Sequence, residues 1–180
     1  RDYPETAVEI SLDYGLVDID GERFDAGVRL GEQVDKDMIA VRIAPDMPMA
    51  VVSAPAYFSR HPPPRTPQHL IDHDCLNLRV RTLAGFFPWA FEKRGREVKV
   101  HVEGPLVFNT IDLIRDAAIE GFGLAYLPAD QVDSDVSAGK LVRVLEDWCP
   151  RLSGYHLYYP NRKQSAAFML LVDALRYRQS

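Results

Sequence analysis

An α/β fold is predicted by three observations: strand-like alternation of apolar and polar residues recurs along the chain, helical stripes fall between those runs, and glycine and proline mark the joints. Val8-Glu9-Ile10-Ser11-Leu12 alternates with period two and reads as the first strand. A short helical stretch follows around Leu16 to Glu22, then a second strand over Phe24 to Leu30, ending at Gly31. Met38 to Ala44 and Met49 to Ser53 read as the next two strands. The joint between them, Pro45-Asp46-Met47-Pro48, is predicted to stay outside any ladder because proline has no N–H to donate.

Tyr57 to Arg60 fits one helical turn, Pro62-Pro63-Pro64 a loop, and Gln68 to Asp72 a second short helix. Cys75 to Val80 alternates again. Trp89 to Glu92 and Glu97 to Val102 predict a hairpin turning at Arg94-Gly95, with Val98, Val100 and Val102 on one face. The best-defined helix comes next. Asn109 fits its N-cap, with Asp112 three residues on as an acidic capping-box partner. Ile111, Ile114 and Ala118 form its apolar stripe, widened by Leu113 and Ala117, and Gly121 supplies the stop. Gly123 to Leu127 reads as a buried strand closed by Pro128, Leu141 to Leu145 and Tyr155 to Tyr159 as further strands, and Ala166 to Tyr177 as a last amphipathic helix.

A chain of 180 residues, 47% apolar and 26% charged, has the make-up of an ordinary globular protein and is enough for one compact domain or two small lobes. Its 21 basic and 26 acidic side chains leave a net charge of −5. With no basic cluster interleaved with aromatics, that argues against a nucleic-acid surface on this chain itself. No apolar run approaches the roughly 18 residues of a membrane span. No signal peptide is visible, and the expected location is cytoplasmic. The opening Arg1-Asp2-Tyr3-Pro4, without an initiator Met, reads as a fragment. Cys75 and Cys149 lie far apart and outside any CxxC motif; they read as two reduced, half-buried thiols, with a disulfide between them left open.

No catalytic set emerges, so no enzyme is expected. His69 and His73 stand four apart, with Cys75 close by, but no fourth ligand has finger-like spacing, and no metal is expected. Gly121-Phe122-Gly123-Leu124 follows a helix and precedes a strand, the reverse of a phosphate-cradling order, and no cofactor is expected. GxSxG is absent, so Ser53 and Ser153 read as loop serines bonding locally. The acidic pairs Asp18/Asp20, Asp133/Asp135 and Glu146/Asp147 read as solvated faces. Asn109-Thr110 stands out: a helix start offers unpaired N–H groups and the positive end of a dipole, which favour an anion, although capping alone also explains the residues.

Three phrases in one order resemble the C-terminal effector-binding domain of LysR-type transcriptional regulators. They are Tyr3-Pro4 with the alternating run Val8 to Leu12, then Phe24-Asp25-Ala26-Gly27-Val28-Arg29-Leu30-Gly31, then Ala117 to Pro128. Val52 to Tyr57 and Leu157-Tyr158-Tyr159-Pro160 support them, and Trp89-Ala90-Phe91-Glu92 with Cys75 to Arg79 looks like the CrgA-like branch. The resemblance implies a two-lobed fold like type 2 periplasmic binding proteins. The first lobe would hold residues 1–48 and 150–180, the second 49–149, with crossings at Pro45 to Met49 and Cys149 to Gly154. A small-molecule effector would bind in the cleft, held by Arg29, Gly31, Ser53, Asn109 and Thr110. The helix Thr110 to Glu120 would pair subunits into a homodimer or tetramer, and DNA would be engaged only through an N-terminal winged helix-turn-helix that this sequence lacks. The strand and helix that begin the family's first lobe are also missing. Two other readings stand beside this one: a solute-binding protein of a transporter, and an enzyme on the same architecture.

Overall fold

The computed structural model describes residues 6–15, 17–31, 37–80, 85–161 and 164–178. Those within Arg1–Asp46 and Ser153–Ser180 form one compact unit, and those within Met47–Leu152 a second.

In the first unit, β1 (Gly27–Leu30) and β2 (Met38–Arg42) flank β11 (Tyr155–Pro160), each antiparallel to it. The register sets Val41 against Leu157 and Ile39 against Tyr159, which makes one face of the sheet apolar. Helix α4 (Ala166–Leu175) covers this face with Phe168 and Val172, and Phe168 meets Tyr159 edge-on at 5.0 Å. Ser165 caps α4, its hydroxyl oxygen accepting the Phe168 N–H at 3.1 Å. Gly27 lies against the ring of Tyr158, where a Cβ would overlap the aromatic carbons.

Two expectations fail here. Val8 to Leu12 is not a strand: Val8, Ile10 and Leu12 are 58%, 81% and 88% exposed, and no described strand pairs with them. Alternation predicts which face would be buried, but a strand also needs a neighbour for its N–H and C=O groups. The stretch before β1 is a turn rather than a helix, Leu16 lying outside the described residues. Asp18 accepts the Gly21 N–H on its carboxylate at 3.1 Å, and Arg23 at φ 61° ends any helical path. Tyr3-Pro4 also lies outside the described residues.

The second unit is built on β3 (Met47–Ser53), nearly buried throughout. It pairs with β8 (Ala125–Pro128) along one edge and with β9 (Val142–Val144) and β10 (Arg151–Leu152) along the other, all antiparallel. Alternation along β3 and β8 sends Ala50, Val52, Ala125 and Leu127 to one face, where Ile114, Ala117 and Ala118 of α2 (Ile111–Ile119) pack. Tyr126 takes the opposite face. It stacks on Trp89 at 5.4 Å, and its hydroxyl donates to the Ala90 carbonyl at 2.6 Å, tying down the hairpin of β5 (Trp89–Lys93) and β6 (Arg96–Val100). The hairpin turns at Arg94 (φ 54°) and Gly95 (φ 75°), consistent with a type I′ turn.

Pro48 corrects the expectation for the proline joint, because it lies inside β3 opposite Arg151. Met49 donates to Pro150 at 3.0 Å, so Pro48 and Arg151 form a pair that exchanges no N–H···O bonds, and the missing proton is not needed. Helix α1 is a single turn over Pro55–Phe58, α3 is a short helix over Asp133–Ser137, and the segment Pro67–Asp72 is a 3-10 helix. Of the run Cys75 to Val80, only β4 (Asn77–Leu78) is a strand; it pairs in parallel with β7 (Val107–Phe108), while Cys75 bridges Leu124. Helix α2 begins one residue later than predicted, with Thr110 at its N-cap, and Leu113 is 49% exposed rather than part of the packed stripe. Its end is as predicted: Gly121 takes φ 76°, its N–H bonds Ala118 O, and the Phe122 N–H reaches Ala117 O, a Schellman stop.

Candidate functional site

Helix α2 carries the feature that the sequence singled out. Thr110 is extended at φ −135° and ψ 144°, and its side chain takes none of the helix's first amide hydrogens. Asn109 precedes it on the surface, exposed and outside the cap. Among the described residues no side-chain cap takes the first turn's N–H groups, and with the helix's partial positive charge they suit an acceptor from outside. Asp112 in that turn opposes an anion, but Arg115 pairs with it at 3.5 Å and with Asp116 at 3.2 Å.

Ser53 sits at the other end of the same helix. Its side chain is fully buried, and its hydroxyl donates to Gly123 O at 2.6 Å, just past the Schellman stop. Ala54 N–H bonds Ala118 O at 3.1 Å. With nine residues rising 1.5 Å each, Thr110 lies about 13 Å away along the axis. The structure thus keeps Asn109 and Thr110 together and places Ser53 where it braces the helix's exit.

Arg29 and Gly31 belong to the first unit. The Arg29 guanidinium donates to Gly15 O and Val17 O, both at 3.3 Å, and stands 5.2 Å over the Tyr158 ring. Among the described residues it makes no ion pair with Asp25; Glu32 lies outside them. Both contacts are made by one nitrogen, Nη2, of a side chain that carries five donors. Gly31 allows a close approach, since a Cβ there would stand 2.7 Å from Ser153 Oγ and 2.8 Å from the His156 ring.

The residues weighed as a metal cluster point to separate partners. His69 Nδ1 accepts the Arg65 N–H at 3.3 Å, His73 Nδ1 lies 3.1 Å from the Tyr57 hydroxyl, and the buried Cys75 thiol faces Leu70 O. Burial pushes the Cys75 thiol up to about 12 and the Cys149 thiol to about 11, so both are neutral thiols near pH 7. Both are free.

Sequence reasoning missed a cluster of aromatic and imidazole rings. Tyr57 stacks on His61 at 4.4 Å and reaches His73, beside a cavity of about 670 Å³ that His61, Asp72, His73, Asp74, Phe86 and Glu103 help to line. The i, i+4 spacing of Tyr57 and His61 was a usable signal; the approach of His73 through the intervening proline-rich loop was not. Asn77 was also missed: it is buried, with its amide donating to Cys75 O and Val102 O at 3.4 Å and its Oδ1 unpartnered among the described residues.

The family model for the LysR substrate binding domain matches residues 1–180. A Pseudomonas aeruginosa protein, whose name proposes a transcriptional regulator, is 54% identical over 98% of this chain and 58% of its own length. The HTH-type transcriptional regulator PgrR of Escherichia coli is 52% identical over 99% of this chain and 60% of its own. The chain thus spans less than two thirds of these relatives. Among solved structures, the regulatory domain of AphB from Vibrio vulnificus aligns at a TM-score of 0.78 and 25% identity, over 97% of this chain and 85% of that one. CrgA from Neisseria meningitidis aligns at 0.68 and 22%, over 87% and 54%, a likeness of fold.

Proposed function

The chain belongs to the LysR substrate-binding-domain family, and on that premise we propose that it senses a small effector for a transcriptional regulator, binding the molecule without transforming it. The uncapped start of α2 at Asn109-Thr110 is the observation that carries this reading, because free amides at a helix start suit an acidic or strongly polar group. Arg29 is proposed as a permanent cation for a carboxylate, Gly31 as a backbone contact beside it, and Ser53 as a contributor through its hold on α2's exit. No cofactor is invoked. The transporter reading gains nothing from the relatives, which carry regulator names.

For the whole protein, the proposal extends to a homodimer or tetramer in the cytoplasm, with DNA engaged through a segment other than this one; a net charge of −5 gives this surface no field for the duplex. The test is a thermal-shift screen of small carboxylates and neutral analogues against the protein, followed by chromatography of any stabilising compound after prolonged incubation. Stabilisation by carboxylates that are recovered unchanged is expected. Conversion of the compound, or no preference for acids, rejects the reading.

A further inference from the structure

Tyr57 is 1% exposed, and its hydroxyl oxygen accepts the Asp74 N–H at 3.1 Å. Among the described residues, the one acceptor within reach of its proton is His73 Nδ1, at 3.1 Å. The order of donors follows: Asp74 N–H to Tyr57 oxygen, then Tyr57 O–H to His73 Nδ1. That order requires a neutral His73 with its proton on Nε2.

This short chain joins separate pieces of the second unit. Tyr57 comes from α1, and His73 closes the 3-10 helix, its N–H on Leu70 O at 3.2 Å. Asp74 leads into β4, and its carbonyl accepts the Leu124 N–H at 2.8 Å at the entry to β8. Gly123 packs so closely on Asp74 that a Cβ there would stand 2.5 Å from its carbonyl oxygen. A proton on His73 Nδ1 would turn acceptor into donor. The buried Tyr57 oxygen would then face two donors, with its own proton left without a partner.

We propose that Tyr57, His73 and Asp74 form a proton-sensitive latch: protonation of His73 frees the Tyr57 hydroxyl and loosens the joint between α1 and the backbone entering β4. Among the described residues, the titratable and charged neighbours are Arg60 and His61 beyond α1, His69 and Asp72 on the 3-10 helix, Asp74 and Cys75 after it, and Glu103 across the cavity. Burial holds the His73 imidazole below its usual range, and His61, with ring centroids 6.3 Å apart, pushes the same way. Asp72 and Asp74 act against them. The latch is closed above the ordinary imidazole value of about 6.5 and opens as the pH falls below it, through the lower value of the folded protein.

NMR of the 15N-labelled protein tests this. His73 is expected as the Nε2–H tautomer, with a midpoint below the ordinary imidazole value of about 6.5. The Asp74 amide is expected to exchange about tenfold faster, relative to its intrinsic rate, once the pH passes below the His73 midpoint. Tyr57→Phe should raise the His73 midpoint towards that ordinary value. His73→Asn, which can place a non-titrating acceptor near the Nδ1 position, should make Asp74 protection independent of pH. A His73 midpoint at or above about 6.5 overturns the proposal. So does Asp74 protection following the same pH course in wild type and His73→Asn.

Discussion

The hydroxyl of Ser53 and the carbonyl of Gly123 lie 70 positions apart in sequence and 2.6 Å apart in space. The serine is fully buried, so its removal leaves that carbonyl without its partner in a dry site. Ser53→Ala is expected to destabilise the protein by about 1–3 kcal/mol, read as a lower urea midpoint at unchanged slope. An unchanged midpoint would show that the carbonyl finds another donor.

Asn109 offers the cleanest test of the proposed effector site because it is exposed and outside the cap. Asn109→Ala should change stability by less than about 0.5 kcal/mol. If the residue holds an acidic effector, affinity should fall by about 1.5–3 kcal/mol, measured by calorimetric titration. Arg29→Ala should weaken binding similarly, and it should also speed amide exchange around Gly15 and Val17, whose carbonyls Arg29 holds. Wild-type affinity in both variants ends the assignment.

Gly104 passes so close to Cys75 that a Cβ would overlap that residue's backbone nitrogen and carbonyl, which cannot rotate aside. Gly104→Ala is therefore expected to cost about 1–3 kcal/mol in thermal or chemical unfolding. A neutral result would mean that the segment before β7 can shift as a body.

Alkaline pH should weaken the fold through its thiols. Cys75 and Cys149 are held up to about 12 and 11 by burial, whereas an unfolded thiol loses its proton near 8.5. Between those values the unfolded chain releases protons that the folded chain keeps. Stability is thus fully present below about 8.5 and declines as the pH rises. Urea midpoints from pH 8 to pH 10.5 measure the decline, and Cys149→Ser should flatten it. Equal slopes in wild type and variant would remove the thiol as the cause.

What the sequence made legible was local. The hairpin could be placed because Arg94-Gly95 accepts two positive φ angles, and the stop of α2 because Gly121 does. Expectations failed where a distant partner decides. Val8, Ile10 and Leu12 alternate correctly but have no described ladder to join, while Pro48 enters one at a pair that asks nothing of its nitrogen. At the candidate site, the helix start at Asn109-Thr110 could be read from capping chemistry. The Ser53 bond to Gly123 and the Tyr57 approach to His73 could not, since each joins residues across intervening loops and strands.

The sheet orders also constrain how the protein can be made. β1 and β2 do not pair with each other; the strand between them is β11, which ends at Pro160. In the same way β3 waits for β8, β9 and β10, the last of which ends at Leu152. Translation runs from the N-terminus, so neither sheet can close until most of the chain has left the ribosome. Until then β3, one of the most apolar strands, has open edges on both sides. Ribosome-bound chains stalled shortly before Leu152 are the species on which a holding chaperone would act, and closure after release should be slow for a chain of this size.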